Sequence, residues 1–210
     1  MNRKLISLTF DDGPADTTTG QVLDVLGRYG IPASFFLIGD NITDSRIPVI
    51  ERALSLGCRI ENHSKTHSDM TKLSRDEIIS EIEYTTDLIT SVTGRKPEFF
   101  RPPYIYYNDL MFEAIDLVFI CGLGCEDWEA DATAEHRAQK TIANAEDGAL
   151  ILLHDFEGNH KTVEALDTVI PSLLDKGYEF VTADELFRRK SIDLSKQRGI
   201  LFNSTSQARI

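Results

Sequence analysis

A mainly parallel α/β fold, with its sheet open or rolled into a barrel, is predicted for this 210-residue chain by three observations. Short apolar segments alternate with stretches of helical spacing, the pattern that builds a parallel sheet covered by helices. The 41% apolar composition is ordinary for one large domain with a sizeable core. The polar residues with chemical potential stand just after strand-like segments, where α/β barrels keep their active sites.

In chain order, strand 4–10 leads to helix 18–29 and strand 33–38 to helix 45–56. Strand 59–61 precedes helix 74–93, which opens on the capping box Ser74-Arg75-Asp76-Glu77. The pairs 99–101 with 108–115, 117–120 with 134–145, 150–154 with 162–176 and 179–181 with 183–189 complete the pattern. Residues 191–210 are polar and poorly periodic and are read as a strap or tail after a domain over 1–190.

The net charge of −12 and a pI near 4.8 argue against nucleic acid or anionic lipid as partners and favour a neutral or cationic substrate. The longest apolar runs, 149–153 and 115–123, are too short to cross a bilayer. The first strand begins within a few residues of Met1, which leaves no room for a signal peptide in this stretch. An extracellular location with a leader removed is the expectation, and a cytoplasmic one the alternative. The state expected is a monomer. Cys58, Cys121 and Cys125 are odd in number, match no tight metal spacing, and are read as small buried residues.

Asp11 and Asp12 stand side by side before Gly13-Pro14, and His63 and His67 follow four apart. Neighbours on a strand project to opposite faces, so the two carboxylates can take different roles. One Asp with two His supplies three protein ligands and leaves a position open for water, as catalytic zinc requires. Asp12, His63 and His67 are the expected ligands, the histidines sharing one side of a helical turn. Asp11 is then free to take a proton, and His154, ending an apolar strand, is placed to give one. Arg101, between aromatics and two prolines, needs a carboxylate, and Asp11 is the attractive candidate. Asp127 offers a carboxylate to orient His154, Trp128 an indole wall for a small acyl group, and Tyr104-Ile105-Tyr106-Tyr107 rings that could stack on sugars.

These motifs resemble, in order, those of the NodB-homology polysaccharide deacetylases, carbohydrate esterase family 4, from Leu5 to about Arg189. The resemblance implies a distorted (β/α) barrel and one divalent ion, zinc or cobalt, on Asp12, His63 and His67. It implies Asp11 as base positioned by Arg101, the Tyr104 amide on the oxyanion, Leu152 lining the acetate pocket, and His154 as acid tuned by Asp127. Where the fourth motif usually has an Asp, this chain has Gly124. Residues 116–128, 132–138 and 177–182 look like acetylxylan esterase domains, so O-acetyl xylan is the expected substrate. Polymers of N-acetylglucosamine, in chitin oligomers or peptidoglycan, are the alternative.

Overall fold

In the computed structural model, which describes residues 3–209, one parallel sheet carries the molecule. Its elements are β1 (Lys4–Asp11), α1 (Thr18–Tyr29), β2 (Ser34–Leu37), α2 (Ile47–Ser55), β3 (Arg59–Asn62), α3 (Arg75–Thr93), β4 (Phe99–Phe100), α4 (Asp109–Ala114), β5 (Val118–Ile120), β6 (Leu123–Gly124), α5 (Ala134–Ala143), β7 (Ala149–His154), α6 (His160–Asp175), β8 (Tyr178–Phe180), α7 (Ala183–Arg189) and β9 (Leu201–Phe202). The strands run β6-β7-β1-β2-β3-β4-β5-β9, and β8 joins β1. Along one edge β1 pairs with β8 through residues 4–6 and with β2 through residues 9–11, while β7 follows its other edge from Ile6 to Asp11.

The sheet curls into a distorted (β/α) barrel, as expected. Its seam is closed by two short strands that the sequence reading does not contain. After β5 the chain steps sideways at Cys121 and Gly122, whose N–H groups donate to the Phe202 carbonyl, and continues as β6 against β7. β9 lies along β5, and the residues after it bond back to β7: Leu150 N–H donates to Asn203 O at 3.0 Å and Thr205 N–H to Gly148 O at 2.9 Å. The stretch beyond 191 is thus partly sheet. Two-residue strands carry no alternation to detect, which is why they escape sequence reading.

Alternation along each strand separates two cores. On β1, Ile6, Leu8 and Phe10 face outward with Val22, Leu26, Leu166 and Ile170 from the covering helices α1 and α6. Leu5 faces inward with Phe36, Phe99, Ile120, Leu150 and Phe202, around Leu186 and Phe187 of α7, which plugs the base of the barrel. Phe187 is fully buried, its ring 5.2 Å from Phe99 and 5.1 Å from Phe202. Phe187→Ala is expected to cost about 3–5 kcal/mol in urea unfolding, because rigid strands surround the resulting void.

The inward positions change character toward the C-terminal ends of the strands. Leu5, Ser7, Thr9 and Asp11 on β1, Leu150, Leu152 and His154 on β7, Phe99 then Arg101 after β4, and Glu61 then His63 after β3 all run from the plug to the barrel mouth. Among the described residues no helix is long and apolar enough to cross a membrane. The cysteines are free, with Cys58 and Cys125 buried and Cys121 only half-buried.

Candidate active site

At the mouth, β1 ends on Asp11, 2% exposed, whose Oδ1 accepts from Arg101 Nη1 at 2.5 Å. Arg101 is wholly buried, donates through Nη2 to Thr9 Oγ1 at 2.7 Å, and lays its guanidinium 4.3 Å from the centre of the Phe36 ring. Thr9 Oγ1 donates its own hydrogen bond to Ile151 O, so the hydroxyl is oriented to accept from Arg101. The pairing of Arg101 with Asp11 expected from sequence is present.

Asp12 leaves the strand in the left-handed region (φ 74°), so its carboxylate turns away from its neighbour's. Asn41 Nδ2 holds the turn by donating to Asp12 O at 2.8 Å. Asp12 Oδ1 then lies 3.3 Å from Nε2 of His63 and 3.3 Å from Nε2 of His67, buried and without another partner. His63 Nδ1 is 2.7 Å from the Arg101 carbonyl, which can only accept, so that nitrogen carries the hydrogen and Nε2 presents a lone pair. Acceptors facing one another at this distance require a proton or a cation between them. The three ligand atoms lie within 4.8 Å of one another, and their donor types suit a divalent transition metal.

The electrostatics agree. Burial works to raise the Asp12 pKa, but the hydrogen bond and charge of His63, with smaller contributions from His154 and His67, bring it down to about 2. Burial disfavours a charged His63, yet Asp11 and Asp12 outweigh it and raise its pKa. His67 is shifted down, first by burial and then by His63. The site therefore favours positive charge, and places it on the His63 side rather than on His67.

The helical turn expected across residues 63–67 is not formed. Ser64 and His67 have φ of 65° and 56°, and the segment is a loop. Glu81 on α3 shapes it, with Oε2 accepting from the N–H groups of Lys65 and Thr66 at 2.9 Å each. Ser64 N–H donates to Asn62 Oδ1 at 2.8 Å, and His67 N–H to Ser64 Oγ at 3.0 Å.

Opposite the ligands, His154 ends β7 in register with Asp11. Asp127 grips it twice: His154 Nδ1 donates to Oδ1 at 2.8 Å and the His154 backbone N–H to Oδ2 at 2.7 Å. Burial alone would lower the His154 pKa, but the adjacent Asp127 reverses this and raises it to about 9. Thr162 Oγ1 also donates to Asp127 Oδ2, at 2.9 Å, and is itself bonded by buried Arg137. Asp155 is not the partner of His154. Wholly buried, with its pKa raised to about 7 chiefly by that burial, it accepts from Thr19 Oγ1.

Asp11, Asp12, His63, His67, Tyr104, Trp128, Leu152 and His154 line one cleft of about 490 Å³, with Arg101 and Asp127 buried behind it. Tyr104 is 58% exposed and sets its ring edge-on to His67, with centroids 4.6 Å apart. Thr9, Asn41, Glu81, Arg137 and Thr162 were not among the expected site residues. All but Thr9 reach the site from other elements, and only inward placement on β1 could have pointed to Thr9.

The family model for polysaccharide deacetylases matches residues 1–117. The chain belongs to that family, carbohydrate esterase family 4. The chain is 46% identical over 192 residues to the bifunctional xylanase/deacetylase of Pseudobutyrivibrio xylanivorans, covering 91% of this chain and 32% of that protein. It is 39% identical over 196 residues to the peptidoglycan-N-acetylglucosamine deacetylase PgdA of Listeria monocytogenes, covering 92% and 41%. It thus spans about a third to two fifths of these relatives. The Xyl-CE4 domain of a multidomain xylanase from the hindgut metagenome of Trinervitermes trinervoides superposes with a TM-score of 0.95 at 42% identity, over 98% of this chain and 99% of that one. A family 4 acetyl xylan esterase from Clostridium thermocellum, in complex with a cobalt ion, gives 0.92 at 42% identity, over 96% and 99%.

Proposed function

We propose that this deacetylase is a metal-dependent acetylxylan esterase acting outside the cell on acetylated xylan. The observation that carries the reading is the placing of two firmly held groups, Asp11 on Arg101 and His154 on Asp127, on either side of the Asp12, His63 and His67 cluster. A divalent ion on that cluster, zinc or cobalt, supplies Lewis acidity to the acyl oxygen and to water. Asp11 Oδ2, the oxygen that Arg101 leaves free, takes a proton from water as its oxygen attacks the acetyl carbon. The Tyr104 N–H donates to the developing oxyanion. His154 gives its Nε2 proton to the sugar oxygen as the acyl C–O bond breaks, leaving acetate and a free hydroxyl. The xylan preference is supported by the xylanase-linked relative and by the two esterase-type structures at 42% identity.

The test is acetate release from acetylated xylan and from acetylated chitin oligomers, after chelator treatment and again with zinc or cobalt restored. Release from xylan is expected to vanish on chelation and return with metal. Release from chitin oligomers alone would move the assignment to amide hydrolysis, and release indifferent to chelation would remove the metal.

A further inference from the structure

Gly124 lies on β6 beside Leu152 of β7, and the indole of Trp128 rests across it. A Cβ placed on Gly124 would sit 3.1 Å from Cζ3 and 3.2 Å from Cη2 of Trp128, and 3.8 Å from Cδ2 of Leu152. The first two distances are shorter than the roughly 3.5–4.0 Å at which carbon atoms pack. The backbone itself makes no demand for glycine, since Gly124 is not among the residues with positive φ. It is the indole that needs the space. Trp128 is otherwise lightly held: Nε1 donates to Glu129 Oε1 at 3.1 Å, its ring meets the edge of His154 at 5.8 Å, and it is 48% exposed. Trp128 and Leu152 line the cleft on the His154 side, where the leaving oxygen is protonated.

We infer that Gly124 is a specificity-determining residue: its bare Cα lets the indole lie down on β6, and so sets the room left for the acyl group beside Leu152. This rests on the deacetylase reading. A methyl at position 124 rises from the sheet beneath the ring, and β6 blocks any retreat, so the indole moves into the cleft. The acyl space shrinks, and longer acyl groups lose more than acetyl. One methylene in an apolar pocket discriminates by about tenfold or more, which is the scale to expect.

Trp128 is the single tryptophan, so emission reports on this ring alone. The experiment compares wild type, Gly124→Ala, Trp128→Ala and the double variant, metal-loaded, on 4-nitrophenyl acetate and butanoate, with emission spectra of the two tryptophan-containing proteins. Gly124→Ala is expected to shift the emission and to lower the butanoate-to-acetate ratio of kcat/KM about tenfold. In the Trp128→Ala background the same substitution is expected to leave that ratio alone. An unchanged ratio, a rise, or an equal change in both backgrounds overturns the inference. Should wild type cleave neither ester and release no acetate from acetylated xylan or chitin oligomers, the deacetylase reading falls; in either case titration of Trp128 emission with acetate and butanoate decides instead: selective weakening of butanoate in Gly124→Ala supports the inference, and equal affinities overturn it.

Discussion

Asp11→Asn is expected to lower turnover by on the order of 10²–10⁴ while leaving zinc or cobalt binding near that of the wild type, because a base is lost and the ligand set is not touched. The residual rate comes from the remaining polarising groups. The substitution also strips the charge from the partner of Arg101, whose guanidinium has no exposure to water. Breaking a buried pair costs about 3–5 kcal/mol, and here the retained amide oxygen, Thr9 and the Phe36 ring offset part of it. Unfolding curves therefore belong beside kinetics and metal titration. A folded, metal-loaded Asp11→Asn enzyme with wild-type turnover would eliminate Asp11 as the base.

Asp127→Asn is expected to move the alkaline limb of kcat/KM to lower pH. The carboxylate is what raises His154 to about 9 against the opposing pull of burial. Without it, burial is opposed only by the charges of Asp11 and Asp12, and the imidazole loses its proton well below pH 9. Where the acid has lost its proton, the rate falls by on the order of 10²–10⁴. Stability follows the same sign. The folded pKa lies above the unfolded one, so the pair stabilises the wild type fully below about pH 6.5 and loses that contribution as pH rises through about 9. The variant should show a flatter dependence of unfolding free energy on pH across that window. An unmoved alkaline limb would mean that His154 is not the acid.

Much of this centre is legible in the sequence because it is built from strand ends. Alternation alone carries Asp11, His63, Arg101 and His154 to the inside of the barrel, and the turn after Asp11 separates two carboxylates that would otherwise compete. What escapes is whatever reaches the site across the fold. Glu81 is one acidic residue on a long, half-exposed helix, and nothing nearby marks it as the clamp of the 63–67 loop. The spacing of His63 and His67 suggests a helical turn, but backbone N–H groups donating to Glu81, Asn62 and Ser64 select left-handed backbone instead. Asp155 follows His154 directly, yet the strand's alternation sends it outward to Thr19 and leaves the histidine to Asp127.

One edge of β1, and the start of the other, have to wait. Its neighbour β2 lies about 25 residues further on, but β7 pairs Ile6 with Ala149 and β8 pairs Lys4 with Tyr178. At a synthesis rate of about 5–20 residues per second, roughly 7–30 seconds pass between the appearance of β1 and that of β7. During that interval the groups that will carry the acid and half the inner wall do not yet exist, and an apolar strand edge stands open to other chains. Contacts this distant in sequence also slow folding of the finished polypeptide. The cleft is thus a late product of folding, and chaperone demand during expression should track the delay before β7 docks rather than any weakness of the mature protein.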